Sequence, residues 1–318
     1  MNILLTNSGR RTYMVKYLFE LKDSYNNSIE IFLSDTSEDV SSFWVDQRSN
    51  NILIPRVDRD ENQYIKILLE KCKKNKIDIL IPLMDYELHL LAKNVNKFSD
   101  IGTSVVVSDF NTVSNCLNKD KCYSFCNEHN IAVPKTWNSK NQIKSSKSIV
   151  VKKINGSGSI DMHTFNSKKE IPSYLDNTFL YQEYISGQEY GMDVFNDFNG
   201  NFIHCCVKKK ISMRSGETDK AEVVYDQRFN QLAQKISAVF KHVGNLDVDF
   251  IIDNSDDIYF IDFNPRFGGG YPYTHLAGFN YLKALHKLTL GEKVSMDLKG
   301  KEIIGMKGIE VYTLGQSN

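Results

Sequence analysis

Late in the chain, LDVDFIID (residues 246–253) and IYFIDFN (258–264) flank the short segment NSDD. Asp262 and Asn264 stand two apart, so on a strand both face one side, and a tight turn brings Asp249 roughly opposite Asp262. Two carboxylates and an amide oxygen on one face form a hard-oxygen set, which suits Mg²⁺ and not zinc. Arg266 follows within reach of whatever such a metal holds. The same residues could also be strand-end polar groups bonded to nearby backbone, and spacing alone leaves both readings open.

Three further stretches carry groups that meet anions or a nucleotide. In VVKKINGSGS, a strand bearing Lys152 and Lys153 runs into Gly156, Ser157, Gly158 and Ser159. Such a small-residue loop lets backbone N–H groups close around phosphate oxygens, with lysine adding charge. It is neither a Walker A nor a GxGxxG pattern, and a plain hairpin loop would read the same way. In YQEYISGQEYGMDV, backbone groups of a strand link at Glu183, Tyr184 and Ile185 can read a purine edge, and Glu189 can accept from ribose hydroxyls; a mere link between strands is the other reading. KKKISMRSGETDK is a local basic segment. Lys208 and Lys210 share one strand face, as an anionic ligand would require, although basic segments are commonly solvated.

The elements that must position these groups divide into two styles. In the first third, strands NILLT, IEIFLSD, NNILIP, IDILIPLMD and TSVVVSD alternate with helical spacings over Thr12–Leu21, Glu61–Cys72 and from Tyr86. That alternation predicts a parallel α/β sheet with helices on both faces, and ligands beyond the carboxyl ends of its strands. Those ends carry Ser8–Arg11, Asp35 and Met84–Glu87. The later part predicts a helix near Asp120–Glu128, strands with antiparallel signals, and a helix over Gln227–Val243.

The bulk numbers describe an ordinary globular protein: 318 residues, 41% hydrophobic, 25% charged, with 39 basic and 39 acidic residues. A global electrostatic footprint for nucleic acid or anionic membrane is absent. No apolar run approaches a membrane span, and the start MNILLTNSGRR is too short and polar for a signal peptide, so a cytoplasmic setting is expected. The six cysteines fit reduced thiols there; Cys116, Cys122 and Cys126 lack metal-ligand spacing with histidine. Cys205 and Cys206 should point to opposite faces of a strand.

Taken in order, these pieces resemble the ATP-grasp superfamily over most of the chain. They are most similar to its carbamoyl-phosphate-synthase-like single-domain carboxylate–amine ligases, a group that includes the pyrrolysine-pathway ligase. DFNPRFGGGYPYTHLAGFN carries the most specific likeness, with NSGRR and PLMDYEL supporting it. The resemblance implies an α/β protein, α+β in its second half. A Rossmann-like pre-ATP-grasp domain would cover 1–112 and a two-lobed ATP-grasp domain 113–318, with lobes 113–185 and 186–318. It implies that ATP is held by Lys121, Lys152, the loop Gly156–Ser159, the hinge Glu183–Tyr184–Ile185, Glu189 and Lys208. Asp249, Asp262 and Asn264 would hold two Mg²⁺ ions, with Mn²⁺ able to replace them. Arg266 would steady the transferred phosphoryl group, and Lys210 and Arg214 would line the acyl-phosphate side.

On the substrate side, Arg10 or Arg11 is expected to hold an anionic group, Asp85 and Glu87 to orient an amine, and His275 to shape the acceptor pocket. Asp85 could instead cap a helix, and the arginines could pack or bond Asp35. The chain departs from the family pattern where Asp262 replaces a glutamate, Asp249 a glutamine or glutamate, and Lys153 a proline.

The implied reaction activates a carboxylate as an acyl phosphate and joins it to an amine, with ADP and phosphate released. The implied partners are small-molecule acids and amines, without nucleic acid or membrane, and a homodimer is compatible. Carboxyphosphate chemistry and a non-catalytic nucleotide-binding protein of the same fold are the alternatives. A dinucleotide oxidoreductase fits poorly, because the first turn has one glycine followed by arginines.

Overall fold

Five short strands at the start of the chain pair in parallel. The computed structural model describes residues 1–26, 28–145, 147–156, 162–175, 178–214 and 216–313. These strands are β1 (Asn2–Thr6), β2 (Glu30–Asp35), β3 (Asn50–Leu53), β4 (Ile79–Pro82) and β5 (Ser104–Val105), in the spatial order β3-β2-β1-β4-β5. Ile3 and Leu5 enter one buried cluster and Leu4 another, so both faces of β1 are covered. Helices α1 (Thr12–Ser24), α2 (Glu61–Lys74) and α3 (Asp85–Ser99) make the crossovers that parallel pairing requires.

The expected strand over 103–109 pairs only at Ser104–Val105. Its end is drawn off because Asp109 caps an unanticipated helix, α4 (Phe110–Leu117), by accepting from the N–H groups of Asn111 and Thr112. Helix α5 (Lys119–Glu128) follows, capped by Asn118.

A four-stranded sheet comes next, built from β6 (Thr136–Trp137), β7 (Ile149–Lys153), β8 (His163–Phe165) and β9 (Phe179–Glu183), in the order β6-β9-β7-β8. The third sheet contains β10 (Gly187–Asn196), β11 (Phe202–Arg214), β12 (Glu217–Val224), β13 (Gly244–Asp253), β14 (Ile258–Asn264) and β15 (Ile304–Met306). Its order is β14-β13-β10-β11-β12-β15, and every pair in it is antiparallel.

The basic segment KKKISMRSGETDK thus falls on β11, to Arg214, and on β12, from Glu217, which pair antiparallel; Ser215 lies outside the described residues. Helix α6 (Gln227–Phe240) stops three residues short of its expected end, where Lys241 turns left-handed at φ 45°. Helices α7 (Tyr271–Leu276) and α8 (Tyr281–Thr289) follow the glycine run and pack with α1 in a core shared by the first and third sheets. All six cysteines are free; Cys206 is buried and its neighbour Cys205 only half-buried, as alternation requires. Among the described residues, no helix is long and apolar enough to cross a membrane.

Candidate active site

Alternation along the third sheet separates two kinds of side chain. Met192, Val194, Val207, Leu246, Val248, Phe250, Phe260 and Phe263 pack with α6 in one core. On the opposite face, Asp249 pairs in register with Asp262, Asp247 with Asn264, and Gly191 with both Asp249 and Lys208. Phe260 and Phe263, three apart, reach the same apolar core because the register slips between Asp249 and Phe250. That slip is a β-bulge at Ile261, of a kind often found beside functional sites. It frees the Ile261 carbonyl, which accepts from the Tyr123 hydroxyl (2.6 Å) and the Lys152 ammonium (3.3 Å).

The charged face lines a cavity of about 250 Å³. Asp249, Asp262, Asn264 and Arg266 lie around it with Lys208 and Lys210, and Arg11 and Asp85 reach it from the first sheet. Oppositely charged groups alternate closely. Lys119 meets Asp262 at 2.7 Å, and Lys210 meets Glu189 at 2.6 Å and Asp249 at 2.8 Å. Lys208 pairs with fully buried Asp193, which also accepts from the Thr274 hydroxyl. The glycine run makes room for these groups. A Cβ on Gly268 would lie 1.9 Å from Asp247, and one on Gly269 would lie 3.1 Å from Glu217.

These pairings set the protonation states. Burial would raise the Asp262 carboxyl, but Lys119 and Lys152 outweigh it and hold it below its ordinary value. Burial, with Asp249 and Asp193 close by, pushes Asp247 up to about 7. Burial and the neighbouring Lys119 push Lys152 down to about 7. Burial also opposes the charge on Arg266, yet Asp85 and Asp247 hold it above the usual value.

The donor set fits Mg²⁺. Two carboxylates in register and an amide supply hard oxygens, and this ion usually keeps waters and takes phosphate oxygens besides its few protein ligands. Among the described residues, no group of three His, Cys, Asp or Glu side chains converges as a closed site would need.

The other expected residues scatter. Lys152 is buried and turned inward, hydrogen-bonded to the Tyr123 hydroxyl, whereas Lys153 is exposed. Glu183 pairs with Lys147. The N–H groups of Glu183 and Tyr184 donate to the Lys135 and Ser148 carbonyls; among the described residues, no backbone partner is found for the Ile185 N–H. Gly156 ends the described part of the small-residue loop; Ser157, Gly158 and Ser159 lie outside the described residues.

Several placements differ from expectation. Lys121 is exposed, and Lys119 is the lysine that reaches the charged face. Two residues on a helix differ by about 200°, so only one of the pair can face inward. Arg214 sits at an exposed strand end with Asp219 (3.2 Å) and does not line the cavity. Arg10 is likewise exposed, whereas Arg11 lines the cavity beside Glu217 (3.4 Å).

Glu87 is fully buried, so it cannot meet an amine; it accepts from the Tyr64 hydroxyl (2.7 Å) and the N–H groups of Leu83 and Met84. His275 stacks on Tyr17 with ring centroids 3.6 Å apart, outside the cavity lining. Asp85 is turned to Arg266 (2.9 Å). Sequence reasoning missed Lys119, Asp193, Asp247 and Glu217. Period-two counting from Asp249 and from Glu189 would have found Asp247 and Asp193.

A family model described as an ATP-grasp domain matches residues 116–270, and one described as a PylC-like N-terminal domain matches residues 3–106. Among curated proteins, the mitochondrial methylcrotonoyl-CoA carboxylase subunit alpha of Rattus norvegicus is 22% identical over 169 residues, which is 46% of this chain and 24% of that protein. The chain thus spans about a quarter of that relative's length. Among solved structures, biotin carboxylase from Campylobacter jejuni, in a βγ-ATP complex, superposes with a TM-score of 0.72 at 14% identity, covering 92% of this chain and 72% of that one. An L-amino acid ligase from Bacillus licheniformis gives 0.67 at 17% identity, covering 90% and 74%. At such identities the structural likeness is one of fold. Together the two family matches cover most of the chain, residues 3–106 and 116–270, so the protein belongs to the ATP-grasp superfamily.

Proposed function

We propose that the protein is an ATP- and Mg²⁺-dependent ligase that activates a carboxylate as an acyl phosphate and joins it to an amine. The observation that carries this reading is the charged sheet face, where Asp249, Asp262, Asn264, Lys210 and Arg266 surround one small cavity at the edge of the leading α/β sheet. In this reading the substrate carboxylate attacks the γ-phosphorus, the bond to the β,γ-bridging oxygen breaks, and ADP leaves. The amine nitrogen then attacks the acyl carbon, phosphate departs, and the nitrogen loses a proton.

Asp249, Asp262 and Asn264 are assigned to Mg²⁺, which when bound would draw charge from the phosphate oxygens. Lys119 and Arg266 add fixed positive charge on the phosphate side, with Lys152 behind Lys119. Ile185 is assigned to adenine and Glu189 to the ribose. Arg11 and Glu217 form a mixed-charge wall suited to a small polar substrate. The expected division at 112/113 falls inside α4, and we place it at this helix, between the part that supplies Arg11 and the part that supplies the metal ligands.

The likeness to a protein named as a carboxylase gives a second reading, in which bicarbonate is the acid and carboxyphosphate the intermediate. ADP release across a matrix of acids, bicarbonate included, and amines separates the two. An acid–amine pair is expected to be required, and Asp262→Ala is expected to abolish Mg²⁺-dependent turnover with an unchanged circular-dichroism spectrum. Release with bicarbonate and no amine would favour the second reading. Undiminished turnover in the variant would remove the site assignment.

A further inference from the structure

Arg266 is gripped from the other half of the molecule. Its Nε donates to Oδ1 of Asp85 at 2.9 Å and its Nη2 to Oδ2 at 3.0 Å, a bidentate pair. Its Nη1 turns to Asp247 (3.3 Å) and the Phe267 carbonyl (3.4 Å). Arg266 also lines the cavity. Both partners are shielded, with side-chain exposures of 10% for Arg266 and 21% for Asp85, so solvent weakens the pair little.

Asp85 is itself held firmly. It opens α3 just beyond β4, where Glu87 accepts from the N–H groups of Leu83 and Met84. Glu87 also accepts from the Tyr64 hydroxyl (2.7 Å), and Tyr64 accepts from the Asn7 side chain (3.2 Å). The strand end that presents Asp85 is therefore tied to the end of β1 by buried polar groups.

We infer that Asp85 is a positioning residue: it reaches from the parallel-sheet domain to fix the orientation of Arg266, and it does not hold the amine. A guanidinium on a long, flexible stem serves a forming charge only if its orientation is set beforehand, and a bidentate carboxylate does that. The assignment rests on the reading of Arg266 as the cation beside the transferred phosphoryl group. It also makes that part of the site depend on the two halves staying docked.

Steady-state kinetics on Asp85→Ala, Asp85→Glu, Arg266→Met and the Asp85→Ala/Arg266→Met double variant test this, with calorimetry of ADP binding with and without aluminium fluoride as a phosphoryl-transfer mimic. Asp85→Ala is expected to lower kcat by about 10–100-fold, the scale of a small misplacement at a reacting centre. The amine KM should stay within about threefold, because uniform amine binding is untouched. Affinity for ADP alone should hold, and affinity for the fluoride complex should fall by the same factor as kcat. Asp85→Glu should recover part of the loss, and the double variant should be no worse than Arg266→Met, since the two residues act as one unit.

A raised amine KM with kcat retained would overturn the inference, as would a double-variant loss equal to the product of the single losses. If Asp85→Ala does not fold, the isosteric Asp85→Asn gives the same comparison. If no acid–amine pair releases ADP, the proposed function fails, while the fluoride-complex affinities still decide the role of Asp85.

Discussion

The two faces of the third sheet are made by the same strands and differ in almost every other respect. Along β13, Leu246, Val248 and Phe250 enter the α6 core, while Asp247 and Asp249 face the cavity. The apolar face derives its stability from buried area and close packing. The charged face crowds acids and lysines at 2.5–2.8 Å, with desolvation costs that their mutual attraction only partly offsets. Such an arrangement contributes little to folding but presents oriented charge, as catalysis on phosphates needs. A period of two residues thus separates stability from chemistry within one strand.

The largest expected effect tests that separation from the apolar side. Phe250 is fully buried, with its ring stacked on Tyr190 at 5.2 Å and in contact with Phe229 and Phe260. Phe250→Ala should cost about 3–5 kcal/mol in urea unfolding, the scale of a large aromatic cavity. Under conditions where the variant remains folded, its affinity for Mg²⁺–ADP should match the parent protein. A collapse of nucleotide affinity in the folded variant would mean that the α6 core also sets the geometry of the charged face, and the two faces would then not be separable.

The charged face does not run the whole width of the sheet, and pH should show where it stops. Lys208 and His204 lie four residues apart on one side of β11, and both are buried. Burial works against the charge on Lys208, but Asp193 holds its ammonium above the ordinary value. His204 has Tyr281 and Phe279 beside it, and burial pushes it from 6.5 to about 4. His242, which donates from Nε2 to the Val194 carbonyl, is likewise pushed by burial to about 4.

Both histidines are thus neutral in the folded protein, while the unfolded chain takes up protons near 6.5. Their neutral burial therefore costs nothing above that pH, and stability falls as pH drops from 6.5 toward 4. The slope should approach roughly 1.4 kcal/mol per pH unit for each histidine. Asp247, raised to about 7, acts in the opposite direction over this range, so the comparison is between variants: in urea unfolding between pH 7 and 4.5, His204→Gln should lower the parent slope by up to roughly 1.4 kcal/mol per pH unit. An unchanged slope in that variant would show that His204 is not held neutral and that the charged environment extends further across the sheet.

Much of this division was legible in the sequence, because it depends on local periodicity. The parallel pairing of the first sheet and the Asp249–Asp262 pairing followed from strand alternation and a short turn. What was not legible depended on contacts between distant segments. Lys119 and Lys121 look equivalent in NKDK, and only the packing of α5 against β14 brings Lys119 to Asp262. Asp85 and Glu87 both read as accessible acids. The fold buries one under Tyr64 and turns the other to an arginine 181 residues later. The β11–β12 hairpin was hidden by its charge, since lysines that pair with acids on the neighbouring strands resemble a solvated segment until those acids are in place.

That last ambiguity gives the smallest and sharpest comparison, within β11 itself. Lys210 and Arg214 are both basic residues of this strand, and sequence alone gave them the same task. Lys210 is nearly buried between Glu189 and Asp249, whereas the Arg214 side chain is 64% exposed and has Asp219 as its partner. Two register shifts, between Lys210 and Ser212 and between Ser212 and Met213, lie between them, and beyond them Met213 lines the cavity while Arg214 does not. An exposed pair of this kind contributes under about 1 kcal/mol and is weakened further by salt. Arg214→Ala should therefore change unfolding stability by less than about 0.5 kcal/mol and leave kcat and both substrate KM values within about twofold. A tenfold fall in kcat, alongside unchanged stability, would show that the Arg214 side chain turns into the cavity during turnover. The charged face would then include a side chain that lies outside it in this structure.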